Sequence, residues 1–276
     1  MMRHLAFLVF LLSASLVHGV GAQPAFPEEF VKSMRGNLIP GGLVIMTLQP
    51  GARILYDART LPQIDDTVVL GFGRDAPLKQ SVLFTRGEAS REISFRLAQR
   101  TYQEQRINGL PPAYVSPPEK ALEKIKREAA QKRRARAGAS LHLGFGEAFI
   151  WPVDGRITGV YGSRRFYNGE PRRPHYGIDI ATPAGTPVKA PASGRVTLAS
   201  PDMYFEGGLI FVDHGLSVTS VFMHLQSLDV RVGDMVSQGD VIGTVGSTGR
   251  STGPHLDWRM YWANQRIDPA LLAPPR

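Results

Sequence analysis

Apolar positions along the chain fall into two arrangements. Between residues 41 and 98 they form short β-rich runs, at 43–48, 53–56, 67–70, 81–84 and 93–97, divided by turn residues such as Pro50-Gly51 and the stretch from Gly71 to Gly73. This predicts a small all-β domain of sandwich type over residues 23–108. From Phe145 onward glycine, proline and valine dominate and helical periodicity is almost absent. Runs such as Gly207-Gly208-Leu209-Ile210-Phe211-Val212 and Val241-Ile242-Gly243-Thr244-Val245 predict a second β-rich domain of barrel or sandwich type over 145–276.

Between them the pattern changes. Gly109-Leu110-Pro111-Pro112 to Pro117-Pro118 reads as a proline-stiffened connector. Residues 119–137 are rich in helix formers, with prolines ahead of the start and Gly138 at the stop, which predicts a linker helix within 109–144. A solvated strut is the expected role of that helix, with contact to anionic wall polymer or membrane headgroups as the alternative.

Composition narrows the picture. The 276 residues are 43% hydrophobic and 20% charged, which is globular material, and contain no cysteine. Thiol nucleophiles, disulfides and thiolate metal sites are thereby excluded, so any metal must rest on His, Asp and Glu. Residues 1–22 have the form of an export signal, with basic Arg3, an apolar core and small residues before Gln23. No later stretch approaches the roughly 20 apolar residues of a spanning helix. Net charge is +8, but 8 Lys or Arg against 3 Glu between residues 119 and 136 account for +5 of it. So local a basicity does not predict nucleic-acid binding.

The chemistry gathers in three segments. His175 and Asp179 flank Gly177, and in a strand all three share a face, leaving space over the glycine. His255 and Asp257 share a face by the same rule, as do Phe222 and His224. Imidazole and carboxylate groups converging from three strands of a curved sheet suit a divalent metal. Tyr176 and Trp258 are candidate groove residues, with buried packing as their plainer reading. Arg164, Arg165, Arg172 and Arg173 flank the first segment, and Arg172 and Arg173 are candidates for gripping substrate carboxylates bidentately. The glycine-rich stretch Gly246 to Gly253 lacks the Gly-Lys-Ser/Thr ending of a phosphate cradle.

Taken in order, His175-x-x-x-Asp179, Thr182-Pro183-Ala184-Gly185-Thr186-Pro187, Asp213-His214-Gly215, Met223-His224-Leu225 and Gly253-Pro254-His255-x-Asp257 resemble the catalytic domain of the lysostaphin-type (LytM-like) zinc endopeptidases of bacterial cell walls. The resemblance covers roughly residues 149–272. It implies an open antiparallel β-barrel or sandwich with a groove, and hydrolysis of peptide cross-links in peptidoglycan. It implies further that His175 and Asp179 are metal ligands, and that His224 and His255 handle the water proton and the developing charge. Asp257 stands where the family's third ligand is normally histidine. A carboxylate is a competent ligand, though harder oxygen ligation brings manganese or iron into range beside zinc.

The expectation is therefore an exported metalloendopeptidase of a Gram-negative periplasm, acting on peptidoglycan stem peptides. The alternative is a non-catalytic scaffold that activates other cell-wall enzymes, which Asp257 favours.

Overall fold

The computed structural model describes residues 26–108, 117–138 and 140–276. The expected export signal and most of the proline-rich connector lie outside the described residues. The protein is mostly β. Its first part holds β1 (Val31–Gly36), β2 (Leu43–Leu48), β3 (Arg53–Tyr56), β4 (Arg59–Thr60), β5 (Gln63–Ile64), β6 (Thr67–Gly71), β7 (Lys79–Arg86), β8 (Ala89–Arg96) and β9 (Glu104–Ile107). Two four-stranded antiparallel sheets, β1-β2-β6-β5 and β4-β3-β7-β8, form here. In β7 buried and less buried positions alternate, as a strand covered on one face requires. Met46, Leu48, Val68, Ile54, Val82 and Phe84 from both sheets join one apolar cluster, where Phe30 stacks on Phe84 with ring centroids 5.5 Å apart.

Among the described residues there is one α-helix, α1 (Leu122–Ala135), and no helix is long and apolar enough to cross a membrane. It is not the solvated strut that its charge predicts. Glu128 is buried and accepts hydrogen bonds from the Tyr204 backbone N–H at 3.0 and 3.1 Å, Lys124 pairs with Asp202 at 2.7 Å, and Lys132 pairs with Glu206. Two lysines of the basic run find carboxylates on the strand that ends at Met203 and in the turn that follows it, and Glu128 finds a backbone N–H in that turn, none of which a local pattern reveals.

The second part comprises β10 (Arg156–Gly159), β11 (Arg164–Tyr167), β12 (Glu170–Arg172), β13 (Gly177–Ala181), β14 (Pro187–Lys189), β15 (Gly194–Met203), β16 (Gly207–Gly215), β17 (Val218–Leu228), β18 (Met235–Val236), β19 (Val241–Val245), β20 (His255–Trp262) and β21 (Gln265–Ile267). Ten of these build an open sheet along β10-β13-β20-β17-β16-β15-β18, with β14, β19 and β21 attached at its margins. The remaining two, β11 and β12, form a three-stranded sheet with β9 of the first part; β9 and β11 run parallel, Gln105 opposite Arg165. The apolar cluster of the first part is continuous with that of the second.

Strand parity sorts the large sheet. Ile210, Val212, Phe222, Trp258 and Met260 face the main core, whereas Leu209, Phe211, Val221, Met223 and Tyr261 form a second apolar cluster on the opposite face, beneath Ala135 of α1. That second face is the floor of the groove.

Candidate metal centre and groove

A groove of about 1000 Å³ runs across this face, walled by α1 on one side and by the β11 region on the other. His175 enters just ahead of β13, Asp179 sits within β13, and Asp257 sits on β20, which pairs with β13 so that Asp179 lies opposite Asp257. Ligand atoms of His175, Asp179 and Asp257 all lie within 4.8 Å of one another. Two glycines make this possible. A Cβ on Gly177 would stand 2.5 Å from Asp257 Oδ1, and one on Gly159 would stand 2.3 Å from Asp179 Oδ2, closer than any real side chain tolerates. The space that the sequence places over Gly177 is thus occupied by a carboxylate.

Both carboxylates carry a guanidinium. Arg165 Nη2 donates to Asp179 Oδ2 at 2.7 Å, and Arg259 grips Asp257 in a fork, Nη2 to Oδ2 at 2.7 Å and Nε to Oδ1 at 3.0 Å. Burial pushes the Asp179 carboxyl up, but His175 and then Arg165 more than reverse this and hold it below the usual carboxylate range. Asp257 behaves alike, with burial opposed chiefly by Arg259. Both groups are therefore ionised at neutral pH. His175 is different: it is buried, and neither Nδ1 nor Nε2 has a hydrogen-bond partner, although Nε2 lies 3.2 Å from Asp179 Oδ1. Leaving a buried polar atom unpaired costs about 1–3 kcal/mol.

These residues fit a divalent ion. Asp179 Oδ1 is not used by Arg165, Asp257 Oδ1 keeps a lone pair beyond the one engaged by Arg259 Nε, and the His175 nitrogens are unspent. One imidazole and two carboxylates are donors of the kind that zinc accepts.

His224 and His255 face each other beside this cluster, ring centroids 4.8 Å apart. The expectation that His224 shares a face with Phe222 does not hold. Phe222 is fully buried in the main core while His224 lines the groove. The β16–β17 register shifts between Gly208 and Ile210, and His224 adopts φ 65°, a left-handed conformation that costs about 1 kcal/mol or more in a non-glycine residue. This bulge turns the imidazole off the core face and into the groove. His224 Nδ1 lies 2.8 Å from the Thr248 carbonyl, and His255 Nδ1 lies 2.8 Å from the Gly253 carbonyl. Each carbonyl accepts an Nδ1–H, which fixes a tautomer with an unprotonated Nε2. Burial lowers the His224 pKa below its ordinary 6.5, favouring the neutral ring.

Of the remaining candidates, Tyr176 and Arg173 line the groove, and Arg172 is exposed on β12 away from it. Trp258 does not line it. As the neighbour of Asp257 in a strand it points the other way, is fully buried, and packs edge-on against Trp151 at 5.7 Å. His214 is also buried, bonded through Nδ1 to the Ser193 carbonyl and through Nε2 to Ser220 Oγ. Arg259, the partner of Asp257, belongs to none of the motifs above, although their spacing of two places them on one strand face.

The chain's likeness to known proteins matches this arrangement. Residues 173–269 match Peptidase family M23. DD-carboxypeptidase/endopeptidase Mpg of Neisseria meningitidis is 38% identical over 120 residues, covering 44% of this chain and 27% of that protein. Peptidoglycan DD-endopeptidase ShyB of Vibrio cholerae is 34% identical over 137 residues, covering 48% of this chain and 31% of that protein. These matches therefore span about a third or less of each curated relative. A crystal structure from Pseudomonas aeruginosa described as an M23 peptidase is 31% identical and superposes with a TM-score of 0.68, over 86% of this chain and 95% of that one. With a likeness that runs through both β parts as well as the groove, the chain belongs to peptidase family M23.

Proposed function

We propose that the protein is an exported metal-dependent endopeptidase that hydrolyses peptide cross-links of peptidoglycan, with the Gram-negative periplasm as its compartment. The observation that carries this reading is His175, whose two buried, unpartnered nitrogens sit among the Asp179 and Asp257 carboxylates. His175, Asp179 and Asp257 would hold one divalent ion, zinc first and manganese or iron next given the oxygen-rich set. When bound, that ion supplies Lewis acidity to a carbonyl and acidifies a water molecule.

The two histidines divide the proton work. His224, the more buried and held neutral, offers Nε2 as the general base. His255 Nε2, once protonated, donates to the oxyanion of the tetrahedral intermediate. Tyr176 and Arg173 line the path of the stem peptide. The names of the endopeptidases from Neisseria and Vibrio support this substrate class.

One observation favours a second reading, a non-catalytic scaffold for other wall enzymes. Arg165 and Arg259 already neutralise the two carboxylates, which weakens the pull on a cation. Incubation of purified cross-linked muropeptides with the protein, with and without chelator, followed by mass analysis and metal determination, separates the two. Cross-links cut by the metal-bearing protein and spared after chelation support the enzyme. Intact cross-links together with no stoichiometric metal overturn it in favour of the scaffold.

A further inference from the structure

Three arginines beyond the metal cluster have no acidic counterpart. The Arg136 guanidinium lies 4.4 Å from the Tyr261 ring centroid and 5.6 Å from that of Phe211, while the Arg266 guanidinium lies 4.4 Å from Tyr176 and 5.7 Å from Tyr261. Tyr261 is thus flanked by two cations, which aromatic faces attract. Arg133, one turn before Arg136 at the end of α1, lines the same groove. Among the described residues, no carboxylate forms a salt bridge with Arg133, Arg136 or Arg266. The Nε atoms of Arg136 and Arg266 are buried with no hydrogen-bond partner. Burial lowers the Arg136 pKa, and the neighbouring Arg266 and Arg133 lower it further.

This is an arrangement with an unmet requirement. Like charges crowd in a half-enclosed space, and two buried N–H groups go unanswered, whereas two arginines nearer the metal cluster, Arg165 and Arg259, are each matched to a carboxylate. A carboxylate arriving along the groove relieves the crowded charge, because guanidinium forks match its two oxygens. The register sets its position. Asp257, Arg259 and Tyr261 occupy alternate positions on one face of β20, and Arg266 on β21 stands opposite Tyr261. At about 3.3 Å per residue, Tyr261 lies roughly 13 Å along the strand from Asp257. That distance is spanned by about four residues of extended peptide.

We propose that Arg136 and Arg266, flanked by Arg133, form a carboxylate-binding subsite that anchors an anionic residue of a peptide substrate three to four residues from the bond aligned with the metal cluster. The proposal rests on the peptide-hydrolase reading above and adds to it a charge requirement and a distance.

The test uses the full chain without its export signal, kept in chelator so that nothing is cut, and two fluorescently labelled five-residue peptides differing in a single terminal group, free carboxylate or amide. Fluorescence anisotropy should show about tenfold or greater preference for the carboxylate, the increment expected of charge-assisted hydrogen bonds. Arg266→Gln and Arg136→Gln should each remove most of that preference while leaving affinity for the amide unchanged, and Arg266→Lys should restore part of it. Arg133→Gln, on the helix surface, serves as the variant least able to disturb folding, and thermal melts report on all four. Equal affinity of the unaltered protein for both peptides, no binding of either, or preference retained in both glutamine variants would overturn the subsite. The reading as a hydrolase fails separately, through intact muropeptides and no stoichiometric metal, because peptide binding in chelator does not depend on turnover.

Discussion

The two β parts solve the same folding problem with different tolerances. In residues 26–108, Gln80 is the one buried polar residue among those described, and left-handed backbone outside glycine is confined to turns at Asp57, Ala58 and Asp65. In the second part Ser163, His175, His214, Thr219, Ser220, His224, Asp257 and Asp268 are all buried, and a left-handed residue sits inside a strand at His224. Desolvating such groups is unfavourable unless each finds a partner. The first part thus keeps a dry core, whereas the second buries polar groups, three of which, His175, His224 and Asp257, belong to the candidate metal centre and groove.

Perturbing each part separately should break that contrast open. Phe84→Ala removes a fully buried ring from the first part. It should cost about 3–5 kcal/mol in denaturant unfolding while the affinity of the groove for metal, read by titration, changes little. His224→Ala should do the reverse, lowering muropeptide cleavage by about a hundredfold or more with the melting temperature nearly kept. Retained cleavage would sink its assignment as base.

The pH response should also differ between the parts. Burial lowers His214 to about 4 from 6.5, so the folded protein binds fewer protons than the unfolded chain between those values. Stability from this group is complete above pH 6.5 and is lost as pH falls toward 4, by roughly 3 kcal/mol in all. Urea midpoints across that window should slope upward with pH, and His214→Gln should flatten the slope. Gly177→Ala is the mildest change, adding one methyl against Asp257 Oδ1 at 2.5 Å. A stability loss of about 1–3 kcal/mol is expected, together with weakened metal binding, since the carboxylate must move. Unaltered metal affinity would show that Asp257 is not needed to hold the ion.

Much of this was legible in residue spacing. The β-rich runs locate β2, β3, β6, the centre of β7 and the second half of β8, and the placement of Gly177 between His175 and Asp179 gives the geometry of the first ligand pair. Other features depend on contacts that spacing does not encode. Strand β9 reads Glu-Gln-Arg-Ile, with no alternation to mark it, and owes its existence to pairing with β11. The parity rule fails at His224 because a bulge breaks the period. Trp258 was within reach of the parity rule, which opposes it to Asp257. The convergence of Arg136 from a helix and Arg266 from an edge strand on Tyr261 joins residues more than 120 positions apart, beyond any local signal.

The pairing of β9 with β11 reaches into the chemistry. Gln105 Oε1 accepts a hydrogen bond from Arg165 Nε at 2.9 Å, and the other end of the same guanidinium holds Asp179. A residue of the first part is therefore two bonds of contact away from a candidate metal ligand. The groove region is consequently a poor candidate for transplantation as a self-sufficient cartridge. A chimaera joined at residue 145 would carry every motif that matches the family and still leave Arg165 without the neighbour that aims it.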